Sequence, residues 1–198
     1  MVLQLKFFPT KFFFQSLYMY TRVKRNDSSP GNEEKAMSES LLRAGMEFEA
    51  FYNRNYKLVY RVCYTYMQNS FEAEDMTEDT FVKVLTGDYS FNDENHEKAW
   101  LTVTAMNLCK DKLKSWWHKR TVPIDEAAET GGRGFEIDGT LDAVMKLPTK
   151  YKDVIYLYYY MGYKTEEIAD MLHRPHSTVR NHLMEARKLL KKELGGEY

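Results

Sequence analysis

Arg180, Asn181, Met184 and Arg187 lie within eight residues, spaced so that all four leave one side of a helix. A guanidinium can donate two hydrogen bonds to a guanine edge, and a carboxamide can pair in the same two-pronged way with adenine. Lys188, Lys191 and Lys192 follow, suited to phosphate. The side chains that could meet a duplex from this helix are His176, Ser177, Thr178, Arg180, Asn181, Met184, Arg187 and Lys188. The helix is expected from about Ser177 to Lys192, with Val179, Leu183, Ala186 and Leu190 facing inward. Before it, Thr165 is placed to cap a helix whose first turn carries Glu166 and Glu167, where the helix dipole favours acids. Ile168, Ala169 and Leu172 form the inner face of that helix. The joining turn, "HRPH", has His173 where such turns favour glycine, and histidine tolerates left-handed backbone better than most residues. A helix-turn-helix reads DNA in this way. A plain helical hairpin with a solvated basic face would carry much of the same pattern.

Two other charge constellations precede it. Asp75, Glu78 and Asp79 stand at i, i+3 and i+4, one face of a helix turned away from its apolar stripe. Three carboxylates side by side repel phosphate and suit a basic protein groove. The run "KDKLKSWWHKR", Lys110 to Arg120, has five cations against the single acid Asp111. Asn107, Lys110 and Lys114 share a face there. Lysines neutralise phosphate, and Trp116 or Trp117 can stack on unpaired bases, with at least one of the two rings expected in the core.

These sites must be held by helices. The chain has 198 residues, 43% hydrophobic and 29% charged, with a formal net charge of -1. That composition suits a soluble globular protein and argues against indiscriminate coating of nucleic acid. A first amphipathic helix is expected from Met46 through Phe48, Phe51, Tyr52, Tyr56, Val59, Val62, Cys63 and Tyr66. A second runs from about Phe71 to Leu85, with Ala73, Met76, Thr80, Phe81 and Val84 inward. A third runs from about Glu97 to Lys119, with Leu101, Thr104, Ala105, Leu108, Cys109 and Leu113 inward. The segment after it holds Gly131, Gly132, Gly134 and Gly139, and six acids against one Arg from Asp125 to Asp142, which reads as an acidic linker. Helices resume near Leu141, pause at Leu147 and Pro148, and continue to a stop at Gly162. The fold class is therefore all-α: two small helical domains joined by a flexible acidic linker, the second a helix-turn-helix. The boundaries read as 1–45 for a non-core extension, 46–120, 121–140 for the linker and 141–198.

Some chemistries are excluded. Cys63 and Cys109 are far apart and inside apolar patterns, so both read as buried free thiols, and no metal-ligand spacing occurs. No phosphate-binding glycine loop and no nucleophile–base set appear among five scattered histidines. Neither enzyme activity nor a metal or cofactor is expected. The first twenty residues are apolar but broken by Pro9, Thr10, Lys11, Gln15 and Ser16, short of a membrane span. They read as a non-core extension, with Met37 and Met46 as plausible later starts, and stable membrane insertion is not expected.

Four blocks, "AEDMTEDTFVKVL", "AWLTVTAMNLCKDKLK", "LPTKYKDVIYLYYYMGYKTEEIA" and "STVRNHLMEARKLLKK", occur in this order, with the linker between the second and third. This resembles the extracytoplasmic-function group of bacterial RNA polymerase sigma factors, over about Phe48 to Leu194. The resemblance implies a cytoplasmic protein that binds core RNA polymerase, directs it to promoter DNA, assists melting and is then released. It places Asp75, Glu78, Asp79 and Val82 on the polymerase clamp. Asn107, Lys110, Lys114, Trp116, Lys119 and Arg120 fall on the minus-ten element, and the tail helix pair falls on the minus-thirty-five element. An anti-sigma partner is implied as well. The chain departs from the family pattern at Val103 and Met106, where arginine is frequent, and at His182 and Glu185, where basic residues are frequent. Two weak readers on one tether need polymerase to hold their spacing, so the free chain is expected to bind promoter DNA poorly. A stand-alone helix-turn-helix regulator is the rival reading, and it requires specific DNA binding without polymerase.

Overall fold

The computed structural model describes residues 32–87, 89–119 and 139–195. Among them every regular element is helical. The expectations for the chain before residue 32, for Arg120 and for most of the acidic linker lie outside the described residues.

Helix α1 spans Asn32–Met67, α2 Ser70–Thr86 and α3 Glu94–Lys119. Helix α1 starts fourteen residues before the expected Met46, and so takes in part of the stretch read as a polar linker. Contacts divide the chain into Met1–Arg54 and Asn55–Tyr198. In the first unit, Phe48 and Phe51 stack at 6.0 Å, and the Arg54 guanidinium lies 5.0 Å over the Phe51 ring.

The second unit holds α1 from Asn55 onward, α2, α3 and the tail helices. Helix α1 ends where Gln68 turns to φ 55, and Asn69 caps α2 by accepting a hydrogen bond from the Glu72 amide at 3.1 Å. Helix α2 buries Ala73, Met76, Thr77, Thr80 and Phe81. The two threonine hydroxyls sit in that apolar stripe because each donates to the carbonyl four residues back, Thr77 to Ala73 and Thr80 to Met76. Helix α3 contributes Leu101, Ala105, Met106 and Cys109, all fully buried. Cys63 and Cys109 are free thiols in contact with one another, and the contact together with burial pushes the Cys109 thiol far up.

The tail begins with two short helices, α4 (Gly139–Met145) and α5 (Thr149–Ile155), separated at Pro148. Helix α5 continues as a π-helical turn, Tyr156–Tyr160, in which the Met161 amide donates to the Tyr156 carbonyl at 3.2 Å. Tyr156 and Leu157 stay in the core while Tyr159 reaches solvent. Gly162 closes this piece at φ 75, a backbone region that suits glycine. Helices α6 (Thr165–Met171) and α7 (His176–Glu193) complete the fold. Ile168, Val179, Leu183 and Ala186 join their inner faces.

Candidate nucleic-acid interface

The α6–α7 turn has the predicted left-handed residue. His173 adopts φ 49, its amide donates to the Asp170 carbonyl, and the Arg174 amide donates to the Ala169 carbonyl at 2.9 Å. Pro175 then starts α7 with the φ of -55 that its ring dictates. The α6 cap falls one residue earlier than expected. Lys164 is the cap, and its amide is satisfied by the Glu167 carboxylate at 2.7 Å, so Thr165 lies inside the first turn.

Along this pair runs a groove of about 610 Å³. Ser177, Arg180, Asn181, Met184 and Arg187 all line it, so five of the eight predicted readers converge on one surface. Tyr158, Lys164 and Glu166 line it too, and sequence spacing gave no hint of them. Arg180 and Asn181 are exposed, and Met184 is 48% exposed. Arg187 is steered by the aromatic run. Its guanidinium lies 5.3 and 5.6 Å over the Tyr158 and Tyr159 rings, and its Nε donates to the Tyr159 hydroxyl at 2.8 Å.

The remaining three readers lie outside the groove. His176 faces back into the helix pair, with Nε2 2.9 Å from the Thr165 hydroxyl and 3.1 Å from the Glu166 carboxylate. Thr178 is half-buried. Lys188 is paired with Glu185 at 2.8 Å, so the acid that departs from the family pattern steadies a neighbouring cation. His182 is a packing residue: its ring meets Tyr151 edge-on at 5.5 Å. Burial and the nearby Arg174 charge push the His182 pKa below the ordinary histidine value, which favours the neutral ring.

On α3, Asn107 and Lys114 are exposed, but Lys110 is tied to Asp153 at 3.3 Å. Trp116 is half-buried with the Lys112 ammonium 5.6 Å from its ring, whereas Trp117 is 78% exposed. Trp117 is therefore the freer of the two rings. The side chains of Lys119 and Arg120 lie outside the described residues. Met106 is fully buried, so a cation could not replace it without burying charge. Val103 is half-buried.

On α2, Asp79 and Val82 are exposed, and Asp75 and Glu78 half-exposed. Lys112 crosses from α3 to bridge Glu72 and Asp75, each at 3.3 Å. Burial, then the charge of Asp75, raises the pKa values of both Glu78 and Asp79. The carboxylate face is thus crowded with like charge; Lys112 bridges its Glu72–Asp75 end, and the charges of Lys112 and Lys83 partly offset the crowding at Asp79.

A helix-turn-helix whose second helix lines a groove with Arg180, Asn181 and Arg187, behind a module with an acidic flank and a cationic helix, has the features of a DNA-binding protein that also docks on protein. Known families agree. Residues 51–119 match Sigma-70 region 2, and residues 139–190 match Sigma-70, region 4. The chain is 29% identical over 157 residues to the ECF RNA polymerase sigma factor SigW of Bacillus subtilis, covering 69% of this chain and 82% of that one. It is 29% identical to the RNA polymerase sigma factor SigV of the same organism, over 70% of this chain and 85% of that one. To the ECF RNA polymerase sigma factor SigM of Mycobacterium tuberculosis it is 24% identical, over 83% of this chain and 88% of that one. The fold resembles the sigma factor RpoE, solved in complex with the anti-sigma factor NepR from Bartonella quintana. That likeness has a TM-score of 0.55 at 18% identity, over 77% of this chain and 99% of that one.

The chain belongs to the sigma-70 family of RNA polymerase sigma factors, in its extracytoplasmic-function group. Members of this family are transcription-initiation factors and have no enzymatic activity of their own. No helix among the described residues is long and apolar enough to cross a membrane.

Proposed function

We propose a division of labour for this sigma factor. Residues 46–120 dock on core polymerase and meet the minus-ten element, and residues 141–198 read the minus-thirty-five element. Asp75, Glu78, Asp79 and Val82 form the polymerase-facing edge. Asn107, Lys110 and Lys114 meet the downstream backbone, with Trp117 joining Trp116 as a ring for the melted strand. Arg180 and Asn181 read upstream base edges, Met184 packs against them, and Arg187 and Lys188 hold phosphate. The observation that carries this reading is the convergence of Ser177, Arg180, Asn181, Met184 and Arg187 on one groove.

The site of action is cytoplasmic, where the polymerase is. An anti-sigma protein is the natural inhibitor for a chain of this kind, and the relative of like fold, RpoE, was solved in complex with one. The 121–140 segment serves as the acidic connector between the two readers.

Substituting Arg180→Ala or Asn181→Ala tests the assignment. Each substitution is expected to weaken holoenzyme binding to the cognate upstream element by roughly 1–3 kcal/mol, about 5- to 150-fold. On a promoter whose upstream element is scrambled, variants and wild type should bind alike. Footprinting on both promoters measures this. Equal losses on the two would mean that these side chains touch phosphate and do not read bases.

A further inference from the structure

Tyr158 lines the α6–α7 groove and Tyr159 stands beside it, yet the division of labour above gives neither a task. Both belong to the π-helical turn Tyr156–Tyr160, closed by the Met161 amide on the Tyr156 carbonyl. Such wide turns gather at functional sites. Tyr156 and Leu157 are in the core, Tyr158 is half-buried, and Tyr159 is 55% exposed. The fold gains little by burying a ring left so open.

The two rings are nonetheless fixed in orientation. They meet edge to face, with 5.0 Å between centroids and 74° between planes. Tyr156 and Tyr160 of the same turn stack at 5.0 Å and 16°. Tyr158 and Tyr159 thus form a corner, and the Arg187 guanidinium from α7 lies over both rings. Arg187 Nε donates to the Tyr159 hydroxyl at 2.8 Å. That bond takes the Nε hydrogen and leaves the Nη1–Nη2 end of the fork, a geometry that suits phosphate. Arg187 is exposed and lines the groove with Arg180 and Asn181.

We propose that Tyr159, with Tyr158 beside it, is a positioning residue for upstream promoter binding: the ring corner and the Tyr159 hydroxyl hold the Arg187 guanidinium at the groove, ready to take a DNA phosphate. This rests on the assignment of Arg187 to phosphate in the reading above. A long side chain with several rotatable bonds loses affinity when a ligand must immobilise it. An arginine already held by its own fold avoids that loss at the moment of binding. Tyrosine is suited to the holding. A carboxylate at position 159 would fix the guanidinium equally well, but it would cancel the charge that phosphate needs. A ring face and a hydroxyl grip the guanidinium and leave its charge intact. Lys188, one residue on, shows the contrast, because its ammonium is already paired with Glu185 at 2.8 Å.

Holoenzyme affinity for a promoter fragment, measured across a series of salt concentrations, tests the role. Arg187→Ala should weaken binding and lower the slope of log affinity against log salt by about 0.9, as one lost phosphate contact requires. Tyr159→Ala should weaken binding by about 2- to 12-fold, the cost of immobilising one long side chain. Tyr159→Phe keeps the ring without the hydroxyl and should recover part of that loss. In an Arg187→Ala background, Tyr159→Ala should have no further effect, since no guanidinium remains to be held. Thermal midpoints and core-polymerase pull-downs should match wild type for both Tyr159 variants. If Tyr159→Ala binds the promoter as well as wild type, or weakens it equally with and without Arg187, the positioning role is overturned. If Arg187→Ala changes neither affinity nor slope, the phosphate assignment beneath the proposal fails, and the positioning role falls with it.

Discussion

Exchanging Asp75 and Asp79 for lysine removes binding to core RNA polymerase while the helical fold persists. The two carboxylates lie one turn apart on α2, with Asp79 exposed and Asp75 half-exposed beside Lys112. Their crowding is already visible in the raised pKa values of Glu78 and Asp79, caused by burial and then by Asp75. A basic partner surface relieves that crowding, and two lysines reverse it. Like charges brought together at an interface cost several kcal/mol, which corresponds to a loss of roughly 100-fold or more in affinity. Loss of the Asp75–Lys112 contact within the chain is a minor effect, since exposed ion pairs contribute about 0–1 kcal/mol. Asp79→Lys alone keeps that contact and should still weaken binding markedly.

A pH dependence follows with a definite sign. Docking on cations draws the raised pKa values of Glu78 and Asp79 back down, so protons leave on binding, and affinity rises with pH through the acid range before levelling near neutrality. Titrating affinity on immobilised core polymerase checks both points. Undiminished binding by the double variant, or affinity that falls with rising pH in the acid range, would contradict the docking assignment.

The second large effect is on stability. Asp153→Ala should destabilise the Asn55–Tyr198 unit by roughly 3 kcal/mol, because removing one member of a buried charge cluster leaves its partners uncompensated. The figure sits at the low end of the usual range, since Arg174 and Lys110 keep 27% and 25% of their side-chain surface in solvent and can regain water. For a protein of this size the expected fall in the thermal midpoint is about 6–12 °C. A midpoint for Asp153→Ala indistinguishable from wild type would show that the cluster is not a structural anchor.

How legible these features were in the sequence depended on their range. The helix pair was legible because its signals are local: Val179, Leu183 and Ala186 at helical spacing, and His173 at a turn position that needs left-handed backbone. The acidic face of α2 was legible for the same reason. Asp153 was not. It lies inside "TKYKDVIYLYYY", where it reads as an ordinary polar position, and its partners Lys110 and Tyr66 are 43 and 87 residues away. No periodicity records such a pairing.

Lys112 likewise reads as part of a DNA-facing run, yet it crosses to Glu72 and Asp75. Met106 takes the inner side of α3, where comparison with the family pattern suggested a DNA-facing position. At least one of the adjacent tryptophans was expected in the core, but Trp116 is half-buried and Trp117 is exposed, an outcome that packing alone decides. The π-helical turn at Tyr156–Tyr160 had no local signal either, because an aromatic run fits either helical spacing.

Run-off transcription with the purified full chain and its host's core polymerase, with start sites mapped, tests the central claim most directly. The account predicts transcripts from a discrete set of promoters only when both components are present, and no specific retention of those promoters by the chain alone. A chain that fails to associate with core polymerase, or that binds one operator specifically without it, would contradict the account and favour a stand-alone regulator.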